Sequence, residues 1–293
     1  MIITLNNEKF TASIDSLGAQ LISLKDASGK EYIWQRDPAF WKNCSPLLFP
    51  IVGNCRDGKT CIEGTWYEIP KHGFCKDTDF EVSAQSSASA CFSITSTEKT
   101  KEVYPYDFKL SLTYTLNDNG LFMDYVVDNP ETRDIAYCIG AHPGFVMPLE
   151  DGEKFSDYRL EFEQEEQAES IVYDLENHQF DMNRRLPLLN GTNILPLEYS
   201  LFDNDAVFFQ DLKSRKVSIV NPATRKGVEV DYRDFETVAF WTPDHKEAPF
   251  LCVEPWNGSA ICSDEDDEFL HKNHVQVLKP GESKSYHLGI RIL

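Results

Sequence analysis

The strongest pattern along the chain is a period of two. From Phe108 to Leu116, apolar Phe108, Leu110, Leu112, Tyr114 and Leu116 alternate with Lys109, Ser111, Thr113 and Thr115. Such alternation places one face on a core and the other in water, as in a half-buried antiparallel strand. Asn117-Asp118-Asn119-Gly120 supplies turn chemistry, and a second apolar run over 121–127 begins at once, so the pair predicts a hairpin. Runs at 217–220 and 228–232 predict another pair, with Asn221-Pro222 starting the connection. Tyr286, Leu288, Ile290 and Ile292 alternate after the turn Lys279-Pro280-Gly281-Glu282 and predict a closing strand. Near the start, Ile2-Ile3-Thr4-Leu5 reads as a strand, the alternation continues over 12–24, and Ala27-Ser28-Gly29-Lys30 makes a turn. Helical periodicity is scarce, and only 37–41 and 263–271 are candidate short helices. Turn signals recur about every ten residues, which points to an all-β chain, a large antiparallel β-sandwich. With no Gly/Ser linker, low-complexity tract or internal repeat, residues 1–293 are expected to form one domain.

Composition narrows the partners. The net charge of −20, from 48 acidic and 28 basic residues, repels phosphate backbones and anionic lipids, so neither nucleic acid nor a membrane surface is expected. The acidic run Asp264 to Glu268 is expected to be a solvated loop, because its spacing fits no calcium loop. Eight cysteines show no Cys-x-x-Cys and no zinc spacing. With no signal peptide after Met1 and no apolar run long enough to span a bilayer, free thiols and a cytoplasmic location are expected. Asn43, Asn190 and Asn257 head glycosylation-like triplets that mean nothing without secretion.

Five patches break the alternation with Pro, Gly, aromatic and ionisable residues: 46–58, 70–77, 139–145, 201–208 and 249–256. Each has an ordinary explanation when taken alone. A histidine before Gly or Pro, as His72 and His142 are, commonly serves as a loop or hydrogen-bonded filler. Glu254 lies between Leu251-Cys252-Val253 and Pro255-Trp256. A carboxyl buried there is either half of an internal ion pair or a base set in an apolar wall with a raised pKa. Other chemistry loses ground: Gly58-Lys59-Thr60 lacks the upstream glycine of a phosphate loop, and no nucleophile elbow, His-Glu-x-x-His or dinucleotide fingerprint occurs.

Taken together and in order, the patches resemble the aldose 1-epimerase, or galactose mutarotase-like, family, most closely its LacX-type branch. The most specific pieces are Leu48-Phe49-Pro50-Ile51-Val52-Gly53, His72-Gly73-Phe74, Gly140-Ala141-His142-Pro143 and Glu254-Pro255-Trp256. Leu17-Gly18-Ala19-Gln20-Leu21, the segment 34–41 and Tyr104-Pro105-Tyr106-Asp107-Phe108 extend the likeness over nearly the whole chain. The resemblance implies a β-supersandwich with a sugar site in an open cleft on one sheet. It implies His142 as general acid to the ring oxygen and Glu254 as general base to the anomeric hydroxyl. His72 would hydrogen-bond the sugar near its reacting end, and Asp205 would hold hydroxyls. The arginine that the family carries after Phe-Pro-x-x-Gly is replaced here by Asn54, with Arg56 two residues on. Either Arg56 takes over, since residues two apart on a strand share a face, or Asn54 supplies a weaker hydrogen bond. Lys76 occupies the place where related hexose-6-phosphate epimerases tend to carry arginine, and lysine meets phosphate without a bidentate grip.

The implied reaction opens a hemiacetal and recloses it on the other face. An acid and a base on opposite sides of the C1–O5 bond would suffice, each contributing about 10²- to 10⁴-fold. No metal or other cofactor is expected. Trp41, Trp241 and Trp256 are candidates for an aromatic platform under the sugar's C–H face. A free hexose such as galactose or glucose is the expected substrate, with a monomer or homodimer as the assembly. A hexose 6-phosphate, or a non-catalytic carbohydrate-binding role, is the alternative. A glycoside hydrolase pairing Asp205 with Glu254 would leave His142 unexplained.

Overall fold

The alternating segments pair as their turns direct. In the computed structural model, which covers residues 1–293, Lys109–Asn117 and Gly120–Asp128 form the expected hairpin around Asp118-Asn119. Lys216–Val220 and Gly227–Asp231 form the second pair. The closing strand Ser283–Ile292 lies between the two hairpins, bonded to Gly120–Asp128 on one side and Gly227–Asp231 on the other. All belong to one 15-stranded antiparallel sheet. From its edge at Leu47–Leu48 the sheet passes through Ile139–Ala141, Phe250–Asn257, Thr237–Trp241 and Val207–Phe209 to these hairpins, and ends at Glu81–Gln85. A three-stranded sheet of Ile2–Asn6, Phe10–Asp15 and Gln20–Asp26 completes the sandwich. Leu5, Ile14 and Leu24 from this sheet share a core with Leu110, Leu121 and Ile290, and the buried Tyr114 hydroxyl donates to Ala19 O at 2.7 Å across it.

Several local expectations fail for identifiable reasons. The alternation over 12–24 is two strands, Phe10–Asp15 and Gln20–Asp26, because the chain reverses at Gly18 and Ala19, both at positive φ. The segment 37–41 is one isolated turn, with the Phe40 and Trp41 amides bonded to Asp37 O. It cannot propagate, since Cys44 must extend to meet Gln20 Oε1 and the Gly144 amide. Of 263–271, only Phe269–His271 is helical, as one 3₁₀ turn. The acidic run is not simply solvated. Glu265 is buried and pairs with buried Lys272 at 3.3 Å, and Asp267 holds Arg56 at 3.0 Å. The longest element, the hairpin of Arg159–Asp174 and Gln179–Pro196, escapes sequence-based recognition because four register shifts interrupt its alternation. All eight cysteines are free thiols.

One strand forms the spine of the region where the patches meet. Phe250–Asn257 is buried along its whole length and takes neighbours on both edges, which explains the unbroken apolar run around Glu254. A second apolar cluster, including Tyr173, Phe180, Phe208, Trp256 and Ala260, stands apart from the main core. Several of its members reach the surface as the wall of a cleft.

Candidate active site

That cleft has a volume of about 370 Å³ and gathers residues from all five sequence patches. His142, Glu254, His72, Asp205, Asn54, Lys76 and Trp241 line it, together with Trp41 and Trp256. Arg56 does not.

Strand register sets its centre. Ile139–Ala141 pairs with Phe250–Asn257 at Ile139↔Asn257 and Gly140↔Trp256, and Gly144–Val146 resumes the pairing at Gly144↔Cys252. The same register carried across the gap sets His142 opposite Glu254. Pro143 and Pro255 have no N–H to donate, so the ladder thins there, with the Val253 amide still donating to Pro143 O at 3.1 Å. The two side chains face each other across this thinned stretch. His142 Nε2 lies 3.0 Å from Glu254 Oε2, with the residues only 6% and 2% exposed.

Burial biases the proton between them. The imidazole is pushed down to about 3 by burial, while burial and then the charge of Asp205 push the Glu254 carboxyl well above the usual carboxylate range. Both shifts favour the uncharged pair, with one proton on the carboxyl donating to a neutral Nε2. Moving it across the hydrogen bond gives carboxylate and imidazolium, with no change in proton count. The Trp41 ring stacks on His142 with centroids 4.8 Å apart and planes 27° from parallel, a placement that favours the imidazolium. The two groups expected as acid and base touch each other.

His72 is held by a reciprocal clasp with Gly53. The Gly53 amide donates to His72 Nδ1 at 3.0 Å, and the His72 amide donates to Gly53 O at 2.7 Å. With Nδ1 accepting, the neutral ring carries its proton on Nε2 as a donor, and burial, the largest cause, keeps the ring neutral. Gly53 needs to be glycine: φ is +63°, and a Cβ would stand 2.4 Å from Ala260. Asp205, also at positive φ, accepts from Trp241 Nε1 at 2.9 Å. This fixes the indole and leaves the second carboxylate oxygen free. Lys76 lines the cleft while its ammonium donates to Gly73 O and Asp77. The Asn54 side-chain amide donates to His178 O at 2.8 Å, and its buried side-chain oxygen Oδ1 has no partner.

The expected Arg56 substitution is not realised. The chain past Gly53 is no strand: Arg56–Gly58 is a 3₁₀ turn with Asp57 at φ 51°, so residues two apart do not share a face. The Arg56 guanidinium turns away to Asp267, Gln179 Oε1 and the carbonyls of Cys262 and Glu265, clamping the tip of the long hairpin to the acidic loop. That hairpin contributes Tyr173 and Phe180 to the cleft, for which the sequence offered no signal. Lys71 also lines the cleft, exposed and free of any ion pair. Its place directly before His72 was the available clue. One donor cluster of the kind metals use joins His142 and Glu254 of the cleft lining with Cys252, which is fully buried and does not itself line the cleft.

The sequence signature of aldose 1-epimerases matches residues 1–291. The chain belongs to the aldose 1-epimerase family. It is 36% identical over 298 residues to the plasmid-borne protein LacX of Lactococcus lactis subsp. lactis, covering 99% of both chains. A galactose mutarotase related enzyme from Lactobacillus acidophilus superposes with a TM-score of 0.94 at 30% identity, over 100% of this chain and 97% of that one. A galactose mutarotase-like protein from Lactobacillus casei gives 0.93 at 29% identity over the whole of both chains. The fold is therefore the galactose mutarotase-like sandwich, and this family member is an epimerase-type carbohydrate enzyme. No helix in it is long and apolar enough to cross a membrane.

Proposed function

We propose that the chain interconverts the α and β anomers of a free hexose such as galactose or glucose, with His142 as general acid and Glu254 as general base. The observation that carries this reading is the 3.0 Å contact between the two groups at the floor of the cleft. The two oxygens they must serve are bonded to the same anomeric carbon, so groups one hydrogen bond apart reach both. In the carboxylate–imidazolium form, Glu254 takes the proton of the anomeric hydroxyl while His142 gives one to the ring oxygen. The C1–O5 bond breaks, leaving an aldehyde, a protonated carboxyl and a neutral imidazole. After rotation about C1–C2 the steps reverse on the other face. The enzyme begins and ends with the same single proton. The His72 Nε2–H and the free Asp205 oxygen supply further bonds to hydroxyls, and Trp241 supplies an apolar face.

The test is polarimetry of a freshly dissolved anomer of galactose or glucose. Decay faster than the buffer blank is expected, with Glu254→Gln retaining sugar binding and losing nearly all activity. Saturable binding with no change in anomer exchange would replace the enzyme reading with a carbohydrate-binding one. A hexose 6-phosphate is favoured as second reading by one feature: Lys71 and Lys76 both line the cleft of an otherwise acidic protein. Faster turnover of glucose 6-phosphate than glucose, lost in Lys76→Ala while free-sugar turnover persists, would establish it.

A further inference from the structure

Beside the lining of the cleft lies a buried donor that proton transfer does not use. Cys252 precedes Glu254 by two residues on Phe250–Asn257, so both side chains leave the same face of the strand. Its Sγ, a ring nitrogen of His142 and a carboxylate oxygen of Glu254 all lie within 4.8 Å of one another. Cys252 is fully buried, and His142 Nδ1, also buried, has no hydrogen-bond partner. A sulfur, an imidazole and a carboxylate form a donor set suited to Zn²⁺, which takes three protein ligands and keeps a fourth position open. Zinc–ligand bonds of about 2.0–2.3 Å need the donors closer together than the present spread. The nitrogen–oxygen edge is already 3.0 Å, so only the sulfur has to approach. Magnesium and calcium, which want six or more oxygens, gain nothing here.

We propose that His142, Cys252 and Glu254 form an inhibitory zinc site, in which the metal occupies the acid–base pair and its open position faces the cleft. The metal takes Cys252 as thiolate, so the thiol proton leaves for solvent and apparent affinity rises with pH. Inhibition rests on the catalytic reading of the pair, whereas metal binding, read by spectroscopy, does not depend on it.

The experiment uses the full chain. Titration with Co²⁺ is expected to give a thiolate-to-cobalt charge-transfer band in the near ultraviolet, and titration with Zn²⁺ in weak buffer should release the thiol proton. Cys252→Ala should lose the band. In the polarimetric assay Zn²⁺ should suppress the wild type reversibly, EDTA should restore it, Mg²⁺ should do nothing, and Cys252→Ala should turn over normally and resist zinc. Absence of the cobalt band in wild type, or zinc inhibition undiminished in folded Cys252→Ala, overturns the proposal. Failure of mutarotation with the band present would sink the catalytic reading and leave the metal site standing.

Discussion

Replacing Glu254 with glutamine should remove more than a base. The amide preserves the shape of the side chain at the 3.0 Å contact with His142 but cannot hold the shared proton. Loss of a general base costs about 10²- to 10⁴-fold. His142 must then draw its proton from solvent, with a pKa pushed down to about 3 by burial. At pH 7 it is four units above that value, so about one molecule in 10⁴ carries the imidazolium. The two losses multiply, and residual catalysis near neutrality should vanish into the blank. They differ in pH dependence, however. Between pH 7 and pH 5 the imidazolium fraction grows about 100-fold. The enzyme-dependent rate of Glu254→Gln should therefore climb about tenfold per pH unit on acidification, while the wild type, whose pair keeps its proton, changes far less. Polarimetry at high enzyme concentration, corrected for the buffer-catalysed rate at each pH, measures both. A variant at full rate refutes Glu254 as base, and a weak but pH-independent variant refutes the shared proton.

Stability should carry the same signature. Unfolding returns His142 to 6.5 and Glu254 to 4.5. Between these values folded and unfolded chains each hold one proton on the pair, so it contributes no slope. The raised Glu254 carboxyl makes stability fall as pH rises through the range from 4.5 to its folded value, while the lowered His142 imidazole makes it rise only up to 6.5, so the downward slope of the carboxyl is opposed below 6.5 and unopposed above it. Denaturant midpoints of Glu254→Gln should lack this alkaline slope, and a variant that keeps it contradicts the assignment. Arg56→Ala should cost about 1.5–3 kcal/mol by releasing charge-assisted bonds yet leave turnover within a small factor; an activity loss as deep as that of Glu254→Gln would return Arg56 to the sugar. Gly53→Ala should cost about 1–2 kcal/mol for its positive φ and about 1–3 kcal/mol for the clash with Ala260. Its turnover should fall with the loss of the His72 clasp; a variant of wild-type stability and rate would show that the loop yields freely.

Where local pattern and tertiary structure agree, the chain could be read directly. The hairpin around Asp118-Asn119 and the closing strand need only alternation and turn chemistry, and both form. His142 and Glu254 were identified through resemblance, yet the prolines beside them hold a physical reason: Pro143 and Pro255 thin the ladder where the two side chains meet. Arg56 was misplaced because the same-face rule presumes a strand, and the left-handed Asp57 turns the chain instead. The acidic run deceived in the opposite sense. Charge density suggests solvent, but Asp267 and Glu265 are committed to Arg56 and Lys272, partners 211 and seven residues away. Tyr173 and Phe180 come from a hairpin whose register shifts erase its period, so no window of sequence foretells that they line the cleft.

The clasp between Gly53 and His72 has an evolutionary side. A ring tautomer is usually set by a neighbouring side chain, and a single codon change can then reverse it. Here the proton is steered to Nε2 by a main-chain amide. Among the standard residues only proline lacks that N–H, and the left-handed backbone at position 53 already excludes proline. The hydrogen-bond polarity of His72 is thus inherited with the loop itself, so the lining around it is free to vary while that ring goes on presenting a donor.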